Sequence, residues 1–330
     1  MKAPRFWAKP RPTLVARLLQ PTGWAYGRAT AQRMRAPGER AGAPTICVGN
    51  FTVGGTGKTP TALALARMLI ADGRRVAFLS RGYGGAGPER TEPLLVDADT
   101  HNAAEVGDEP LLLAKLAQCW VGADRVRSAR SAVEAGADTL VLDDGLQNPG
   151  LIKDLSFAVV DGESGFGNGL CVPAGPLRAP LSAQLPFVRA LIVLGGDDAA
   201  ASRIAALAPG KPVIRASLEP DALAAAPLIG REVVAFAGIA RPEKFYATLR
   251  RVGAQIVATH DFADHHPYTQ REVEVLIEQS RGRGALLATT EKDLVRLSAR
   301  QARSVMALPV TLRFEEPASV RRILRQAVAG

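Results

Sequence analysis

Short apolar runs recur along the chain, separated by stretches in which apolar residues return at helical spacing. Such runs are typical of strands buried on both faces, and the intervening stretches favour helices. The predicted strands cover residues 45–48, 75–80, 137–142, 155–161, 190–194, 212–216, 232–237, 255–259 and 285–289. This alternation predicts an α/β fold of the P-loop NTPase type, with a doubly wound, mostly parallel sheet.

The length of 330 residues is enough for two domains of ordinary size. A break in the pattern around residues 149–154 indicates a junction. We predict an N-terminal amphipathic helix over residues 1–28, a nucleotide-binding domain over 29–152 and a second, smaller α/β domain over 153–330. The last ~20 residues are also compatible with packing back on the first domain.

The N-terminal segment is basic and rich in aromatic and aliphatic residues. Eight Lys and Arg residues and no acidic residue precede Glu39, interleaved with residues such as Trp7, Leu18 and Trp24. This combination favours a helix that lies on an anionic membrane surface. Packing of an ordinary helix on the protein is a second interpretation, and nucleic-acid binding is a weaker third. A targeting peptide is disfavoured because no clean small-residue cleavage site follows the apolar run.

The composition, 47% hydrophobic and 22% charged, is that of a globular protein, and the net charge is +9. No stretch reaches the ~18 uncharged apolar residues of a membrane-spanning helix. Cys47, Cys119 and Cys171 are far apart and lack the spacing of metal ligands. We therefore expect buried free thiols and a reducing compartment, the cytoplasm.

A glycine-rich loop runs from Asn50 to Thr59, between a predicted strand and a predicted helix. Glycines allow successive backbone N–H groups to face one anion, and the helix N-terminus adds its dipole. The loop departs from the general P-loop pattern at Thr52, where glycine is usual, and it carries Val53 where related loops often have a second lysine. We predict that ATP phosphates are bound by Gly54, Gly55, Thr56, Gly57, Lys58 and Thr59.

Two pairs of neighbouring carboxylates are candidates for chemistry. Asp143 and Asp144 end an apolar strand, as do the carboxylates that hold Mg²⁺ in nucleotide-binding sheets. Asp108 and Glu109 precede a helix predicted from residue 111 to about 118. For this pair, helix capping is the favoured interpretation and a catalytic base with a metal-associated acid is the alternative.

Asp264 stands beside two of the four histidines, His265 and His266. A metal site is one interpretation, although adjacent residues seldom both face one ion and a third ligand is not evident. Hydrogen bonding of one histidine to a catalytic carboxylate is favoured, and a plain surface loop is a third interpretation.

Three further loops are candidates for ligand binding. Residues 81–85 are glycine-rich and follow a strand, where ligands bind in open α/β sheets. Residues 162–180 are too long and proline-rich for a simple linker and are interpreted as a functional loop. Residues 290–293 superficially resemble a guanine-reading element, but Lys292 and Asp293 are adjacent, so a guanine-specific GTPase is disfavoured.

Eight motifs occur in the order in which one family carries them. They cover residues 48–60, 80–84, 107–110, 143–147, 173–178, 238–243, 262–266 and 290–293. Together they resemble the tetraacyldisaccharide 4′-kinases, the lipid A 4′-kinases of Gram-negative bacteria. The resemblance implies two α/β domains with the active site between them. It also implies transfer of the γ-phosphate of ATP, with Mg²⁺, to the 4′-hydroxyl of a tetraacylated glucosamine disaccharide 1-phosphate.

The resemblance implies a role for each matched residue of the nucleotide site. Lys58 and the amides of residues 54–57 would hold the phosphates, and Thr59, Asp143 and Asp144 would place Mg²⁺. It further implies peripheral attachment to the cytoplasmic face of the inner membrane through the N-terminal helix.

On the acceptor side, the resemblance implies that Asp108 takes the proton of the 4′-hydroxyl with support from His265. Contacts with the sugar or its phosphate are expected from Tyr83, Glu109, Arg125 and Arg178. Two positions depart from the family pattern: Asn148 replaces the usual His, and Ala179 replaces the usual Glu. If Asn148 shapes the substrate site, the rate or the acyl-chain preference is altered.

An ATP-driven switch of the partitioning or metal-delivery type is the alternative function, because such proteins share the deviant loop. Those proteins form dimers around ATP with a lysine at the position of Val53, so its absence here argues against a switch. A membrane-bound scaffold without chemistry is the least favoured. We expect the lipid substrate and an anionic membrane surface as partners, with no nucleic acid and no obligate protein partner.

Overall fold

Two sheets organise the chain. The computed structural model describes residues 4–86 and 91–328. Within these residues one sheet has nine strands and the other has four. The strands are β1 Thr45–Gly49, β2 Val76–Ser80, β3 Leu94–Leu95, β4 Gln118–Val121, β5 Thr139–Asp143, β6 Leu155–Asp161, β7 Ala190–Leu194, β8 Val213–Pro220, β9 Glu232–Ala237, β10 Gln255–Asp261, β11 Leu286–Thr289, β12 Met306–Ala307 and β13 Val310–Phe314.

The helices range from single turns to 21 residues. They are α1 Leu14–Met34, α2 Lys58–Ala71, α3 Ala103–Val106, α4 Asp108–Ala114, α5 Arg125–Glu134, α6 Leu181–Gln184, α7 Asp198–Leu207, α8 Ala222–Ala225, α9 Pro242–Arg251, α10 Gln270–Gly282, α11 Glu291–Leu294, α12 Ala299–Ala302 and α13 Pro317–Val328. Residues of α2, α4 and α13 join the core on one face of the large sheet, and residues of α1, α5 and α7 join the core on the other.

The large sheet has the strand order β13-β8-β7-β6-β1-β5-β2-β4-β3. Its seven inner strands are parallel, and the edge strands β3 and β13 run antiparallel to their neighbours. Strands β1, β2, β5 and β6 are buried along their whole length, which explains their uninterrupted apolar sequences. Later strands add on opposite sides of β1, so a ligand crevice is expected at its carboxyl end.

The small sheet is parallel throughout, with the order β10-β9-β11-β12. Val233 and Ala235 of β9 join one core with Tyr246 of α9. Val234 and Phe236 join a second core with residues of α10 on the opposite face. The small sheet is therefore covered on both sides and has cores of its own.

The predicted boundary after residue 152 does not coincide with the division between the sheets. Strands β5 and β6 flank that boundary, and both pair with β1. The stretch between them is a tight connection, in which Asp154 accepts a hydrogen bond from Thr45 N at 2.8 Å. Strands β6, β7 and β8 pair in parallel within the large sheet, so the small sheet begins only at β9.

The C-terminal residues return to the large sheet. β13 pairs with β8, and Val320 and Leu324 of α13 are buried in the core beside α2. At the end of α13, Arg325 forms an ion pair with Asp72 at 2.9 Å.

The helix predicted from residue 111 to about 118 begins earlier and ends earlier, as α4, and its last predicted residue opens β4. β4 was not predicted from the sequence. It has only four residues, of which Cys119 and Val121 are buried, and so short a run carries little periodicity.

The N-terminal helix differs from the prediction over residues 1–28. Residues 1–3 lie outside the described part of the chain; a 3₁₀ turn covers Arg5–Ala8, and α1 begins after Thr13, whose hydroxyl accepts a hydrogen bond from Ala16 N. The face turned to the protein consists of small residues up to Thr30 and ends with Met34 in the core, and a Cβ at Gly27 would lie 2.6 Å from Cys171 Sγ. Within the described residues, no helix is long and apolar enough to span a bilayer.

Candidate active site

The glycine-rich loop connects β1 to α2 at the predicted switch point. Gly57, the residue before α2, has φ +87°, and a Cβ there would lie 2.4 Å from Leu194 Cδ2. Gly54 also has a positive φ, but a Cβ there would meet open space. The side chain of the fully buried Asn50 holds the loop, because its amide donates to Thr56 Oγ1 at 3.1 Å. The open side of the loop, at the N-terminus of α2, is therefore the expected binding site for an anion.

A carboxylate pair lies beside the first turn of α2. The Thr59 hydroxyl donates to Asp143 Oδ2 at 2.9 Å, and Lys58 Nζ lies 3.7 Å from Asp144 Oδ2. Oδ1 of Asp143 and Oδ1 of Asp144 are buried and have no hydrogen-bond partner among the described residues. Unpaired carboxylate oxygens beside a hydroxyl group are suitable ligands for a hard divalent cation such as Mg²⁺. Burial, together with the charge of Glu109, raises the pKa of Asp143 to about 7.

Arg178, in the proline-rich loop, contacts the same carboxylate pair. Its guanidinium donates to Asp144 Oδ2 at 2.9 Å, to Thr52 O at 3.1 Å and to Gln147 Oε1 at 3.3 Å. Gln147 in turn donates to Asn50 O at 2.7 Å. Arg178 and Gln147 therefore fasten the start of the glycine-rich loop to the end of β5. Gln147 was part of a recognised motif, but the sequence did not indicate this role.

The second part of the site is built around Asp108, the first residue of α4. Its carboxylate is 2% exposed, and Oδ2 accepts from His265 Nδ1 at 3.0 Å and from Arg296 Nε at 2.8 Å. Oδ1 accepts from Glu109 N at 2.8 Å. Both side-chain partners of Asp108 belong to the small-sheet part of the chain. A plain helix cap would bind the N–H groups of the next turn instead, so the favoured interpretation of Asp108 as a cap is not what the contacts indicate.

Only one of the adjacent histidines lies at this part of the site. His265 has a left-handed backbone, with φ +59°, and the ring of Tyr83 lies edge-on to it at 5.3 Å. His266 turns away, where its Nε2 lies 3.0 Å from Glu272 and its ring stacks on Phe262. The expectation that these two histidines do not share a ligand agrees with this geometry.

Positive charge surrounds the two carboxylates of α4. Lys292 Nζ lies 2.9 Å from Glu109 Oε1, and Arg296 contacts Asp108. Burial by itself raises the pKa of the Asp108 carboxyl, but the hydrogen bond from His265 and the charges of Lys292 and Arg296 outweigh it, so that pKa lies well below its usual range. Ligand atoms of Asp108, Glu109 and His265 lie within 4.8 Å of one another, yet Arg296 already occupies the place that a cation would take.

The two parts of the site are close to each other. The charge of Glu109, which follows Asp108, contributes to the raised pKa of Asp143. The loop after β9 also approaches the phosphate loop, because a Cβ at Gly55 would lie 3.6 Å from Ala240. One crevice between the two sheets therefore contains the phosphate loop, the carboxylate pair after β5 and the Asp108–His265 contact.

Two predicted substrate contacts, Arg125 and Asn148, form hydrogen bonds within the protein. Arg125 is 5% exposed, and its Nη1 donates to Ser80 O at 2.6 Å and to Gly122 O at 2.8 Å, so it ties together the ends of β2 and β4. Asn148 is exposed, and its side chain accepts from Gly150 N at 2.8 Å within its own turn. Ala179 is fully buried.

Lys292 and Arg296 are site residues that the sequence did not reveal. Lys292 belongs to a motif of the family resemblance, but no role of its own was predicted for it, and Arg296 lies one turn beyond it. Tyr83, a predicted substrate contact, lies beside His265, with 66% of its surface exposed.

The family model for tetraacyldisaccharide-1-P 4′-kinase matches residues 15–329. The chain belongs to this family. A tetraacyldisaccharide 4′-kinase from Methylobacterium sp. (strain 4-46) is 53% identical over 333 residues, covering 100% of this chain and 99% of the relative. One from Rhodospirillum centenum is 49% identical over 337 residues, covering 100% of this chain and 98% of the relative.

Among solved structures, LpxK from Aquifex aeolicus in complex with ATP is similar, with a TM-score of 0.75 and 26% identity. The match covers 96% of this chain and 100% of that structure. The family resemblance seen in the motifs is thereby confirmed. The predicted α/β class, with a large, mostly parallel sheet and a smaller second sheet, is confirmed as well.

Proposed function

We propose that this protein is an ATP-dependent kinase that transfers the γ-phosphate of ATP to the 4′-hydroxyl of a tetraacylated glucosamine disaccharide 1-phosphate, a step of lipid A biosynthesis. Family membership supports the reaction class. The observation that carries the proposal is the meeting of a phosphate loop and a buried carboxylate–histidine pair in one crevice. Phosphoryl transfer needs both a phosphate cradle and a group that receives the acceptor proton.

On the nucleotide side, the amides of residues 54–57 and the Lys58 ammonium bind the phosphates. Thr59, Asp143 and Asp144 would hold Mg²⁺, which neutralises phosphate charge when bound. The orphaned oxygens of the two aspartates support this assignment. Arg178 keeps Asp144 beside Lys58. Its guanidinium therefore orders both the phosphate loop and the proposed Mg²⁺ site.

On the acceptor side, Asp108 orients the 4′-hydroxyl and receives its proton, while His265 holds the carboxylate. A carboxylate with a low pKa is a weak base in water. Phosphoryl transfer proceeds mainly through positioning and charge neutralisation, so the proton moves late and a weak base is sufficient. The exposed ring of Tyr83 and the Glu109 carboxylate, paired with Lys292, border the space for the sugar.

We infer that the protein binds the cytoplasmic face of the inner membrane as a peripheral protein. Leu14, Leu18 and Trp24 on α1 are 74%, 74% and 65% exposed. The opposite face of α1 packs through Gly23 and Gly27, which leaves the large apolar side chains on the outside. Basic residues accompany these side chains, which suits an anionic bilayer surface that also holds the lipid substrate. No contact in the described residues favours a nucleic-acid ligand or the switch function.

The test is transfer of labelled γ-phosphate from ATP to a detergent-dispersed acylated disaccharide 1-phosphate. Lys58→Ala and Asp108→Ala should each lower the rate by at least 10²-fold. Lys58 neutralises charge on the phosphates in the transition state, and Asp108 receives the proton of the acceptor hydroxyl. Lys115→Ala and Asp99→Ala change the same residue types at exposed positions and should leave the rate unchanged. Hydrolysis of ATP without labelled lipid would contradict the proposal.

A further inference from the structure

Arg296 spans the crevice between the two sheets. It follows α11, its side chain is 5% exposed, and its partners are separated from it by up to 188 residues in sequence. Nε donates to Asp108 Oδ2 at 2.8 Å, and Nη2 contacts the same oxygen. Nη1 donates to Gly238 O at 2.8 Å and to Asp293 Oδ1 at 2.9 Å. One guanidinium thus binds the proposed base and the loop after β9 at once.

Arg296 is itself held on a rigid platform. Asp293 is fully buried and accepts from Gly238 N at 2.9 Å and from the Tyr268 hydroxyl at 2.8 Å. Its second oxygen accepts from the Thr290 hydroxyl at 2.7 Å. The guanidinium of Arg296 therefore has a fixed position before any ligand arrives, which is what precise orientation of a partner requires.

The hydrogen bonds of Asp108 divide unequally between its two oxygens. Within the described residues, Oδ2 accepts from His265 and twice from Arg296, whereas Oδ1 accepts only from Glu109 N. Oδ1 therefore has more hydrogen-bonding capacity left than Oδ2. It is the oxygen better placed to accept from the acceptor hydroxyl.

We propose that Arg296 is a positioning residue for phosphoryl transfer: it fixes Oδ2 of Asp108 so that Oδ1 meets the acceptor hydroxyl. The inference rests on the proposed function, since it concerns the same reaction. It does not make Arg296 catalytic, because Arg296 acts through Asp108. It gives α11 and the turn after it a direct part in setting the geometry of the base.

Charged groups surround Asp108 on several sides. Glu109 follows it on α4; His265 faces it from the loop after β10, with Asp264 beside His265; Lys292 and Arg296 face it from α11 and the next turn. The cations keep the pKa of Asp108 well below its usual range, so the carboxylate is ionised over the whole range in which the enzyme is assayed.

The experiment compares Arg296→Met, Arg296→Lys and the exposed control Arg300→Met in lipid phosphorylation from pH 4.5 to 9. We expect Arg296→Met to lower kcat by on the order of 10²-fold with ATP affinity retained, because the base is misplaced while the phosphate loop is intact. Arg296→Lys should recover part of the rate, because a lysine can still donate to Asp108 Oδ2. Arg300→Met should resemble the wild type.

Each outcome decides the question. Equal kcat for Arg296→Met and the wild type would overturn the inference. A lower rate with ATP affinity and melting temperature falling together would assign Arg296 a merely structural role and also overturn it. If Arg296→Met does not fold, the Arg296→Lys variant decides in the same way. A wild type that makes no phosphorylated lipid would instead overturn the proposed function itself.

Discussion

Gly57 has two separate reasons to be glycine. Its φ of +87° is unfavourable for residues with a Cβ, and a Cβ would also press on Leu194 in the core. Gly42 has a similar φ of +81°, but a Cβ there would have no neighbour within 4 Å. The pair allows backbone strain to be separated from the geometry of the phosphate loop.

We predict that Gly42→Ala costs about 1 kcal/mol of unfolding free energy and leaves ATP affinity unchanged, because only backbone strain is added. Gly57→Ala should cost about 2–3 kcal/mol, since overpacking against Leu194 adds to the strain. It should also weaken ATP binding by more than about tenfold, because the amides of the loop are displaced. Urea unfolding and calorimetric titration with Mg·ATP measure both effects. Equal ATP affinities would show that the loop tolerates a Cβ at Gly57.

At the scale of the elements, α1 is organised in reverse of an ordinary surface helix. Small residues face the protein, and Leu14, Leu18 and Trp24 face outward. An exposed set of large apolar side chains beside basic residues is typical of an interfacial helix. Leu207 and Leu223 are also exposed, by 58% and 87%, but they lie on α7 and α8 without such a basic segment.

Replacing Leu14, Leu18 and Trp24 together by serine should reduce binding to vesicles containing anionic lipid by at least about tenfold, because three side chains lose their apolar burial. The control replaces Leu207 and Leu223 by serine and should bind like the wild type. Flotation of the protein with vesicles at low and high salt measures the difference. Equal flotation of the two variants would contradict a membrane-binding role for α1.

The elements that the sequence predicted well are those with a continuous apolar run. Strands β6, β7 and β9 have the predicted bounds, because each is buried along all or nearly all of its length. Strand β4 was missed because four residues carry almost no period. Strand β13 was missed although its residues alternate as in a half-buried strand; its partner β8 lies far away in sequence.

At the scale of the whole molecule, the crevice is built from residues of both sheets. Besides the contacts of Asp108, Asp161 at the end of β6 forms ion pairs with Arg241 at 2.8 Å and with Lys244 at 2.6 Å, beside and within α9. These cations hold the pKa of the buried Asp161 carboxyl well below its usual range, although burial opposes them. The two sheets are thus joined by buried charge on either side of the phosphate loop.

The candidate site was predictable where local patterns carry the chemistry. The glycine-rich loop, the acidic end of β5 and the Asp-His-His run each point to a role without knowledge of the fold. Arg296 gives no such signal, because an arginine in a short helical turn is ordinary and its partner is 188 residues away. The sequence position of Arg125, a predicted substrate contact, likewise does not reveal that it is buried and that its Nη1 donates to two carbonyl groups inside the protein.

The position of the new phosphate on the lipid product tests the central claim most directly. Product made from ATP and the acylated disaccharide 1-phosphate would be purified, and phosphorus–proton correlation spectra would identify the carbon that bears the added group. The account predicts one new phosphate ester, coupled to the proton at the 4′ carbon of the distal glucosamine. A phosphate at any other carbon, a diphosphate at C1, or release of inorganic phosphate alone would contradict it.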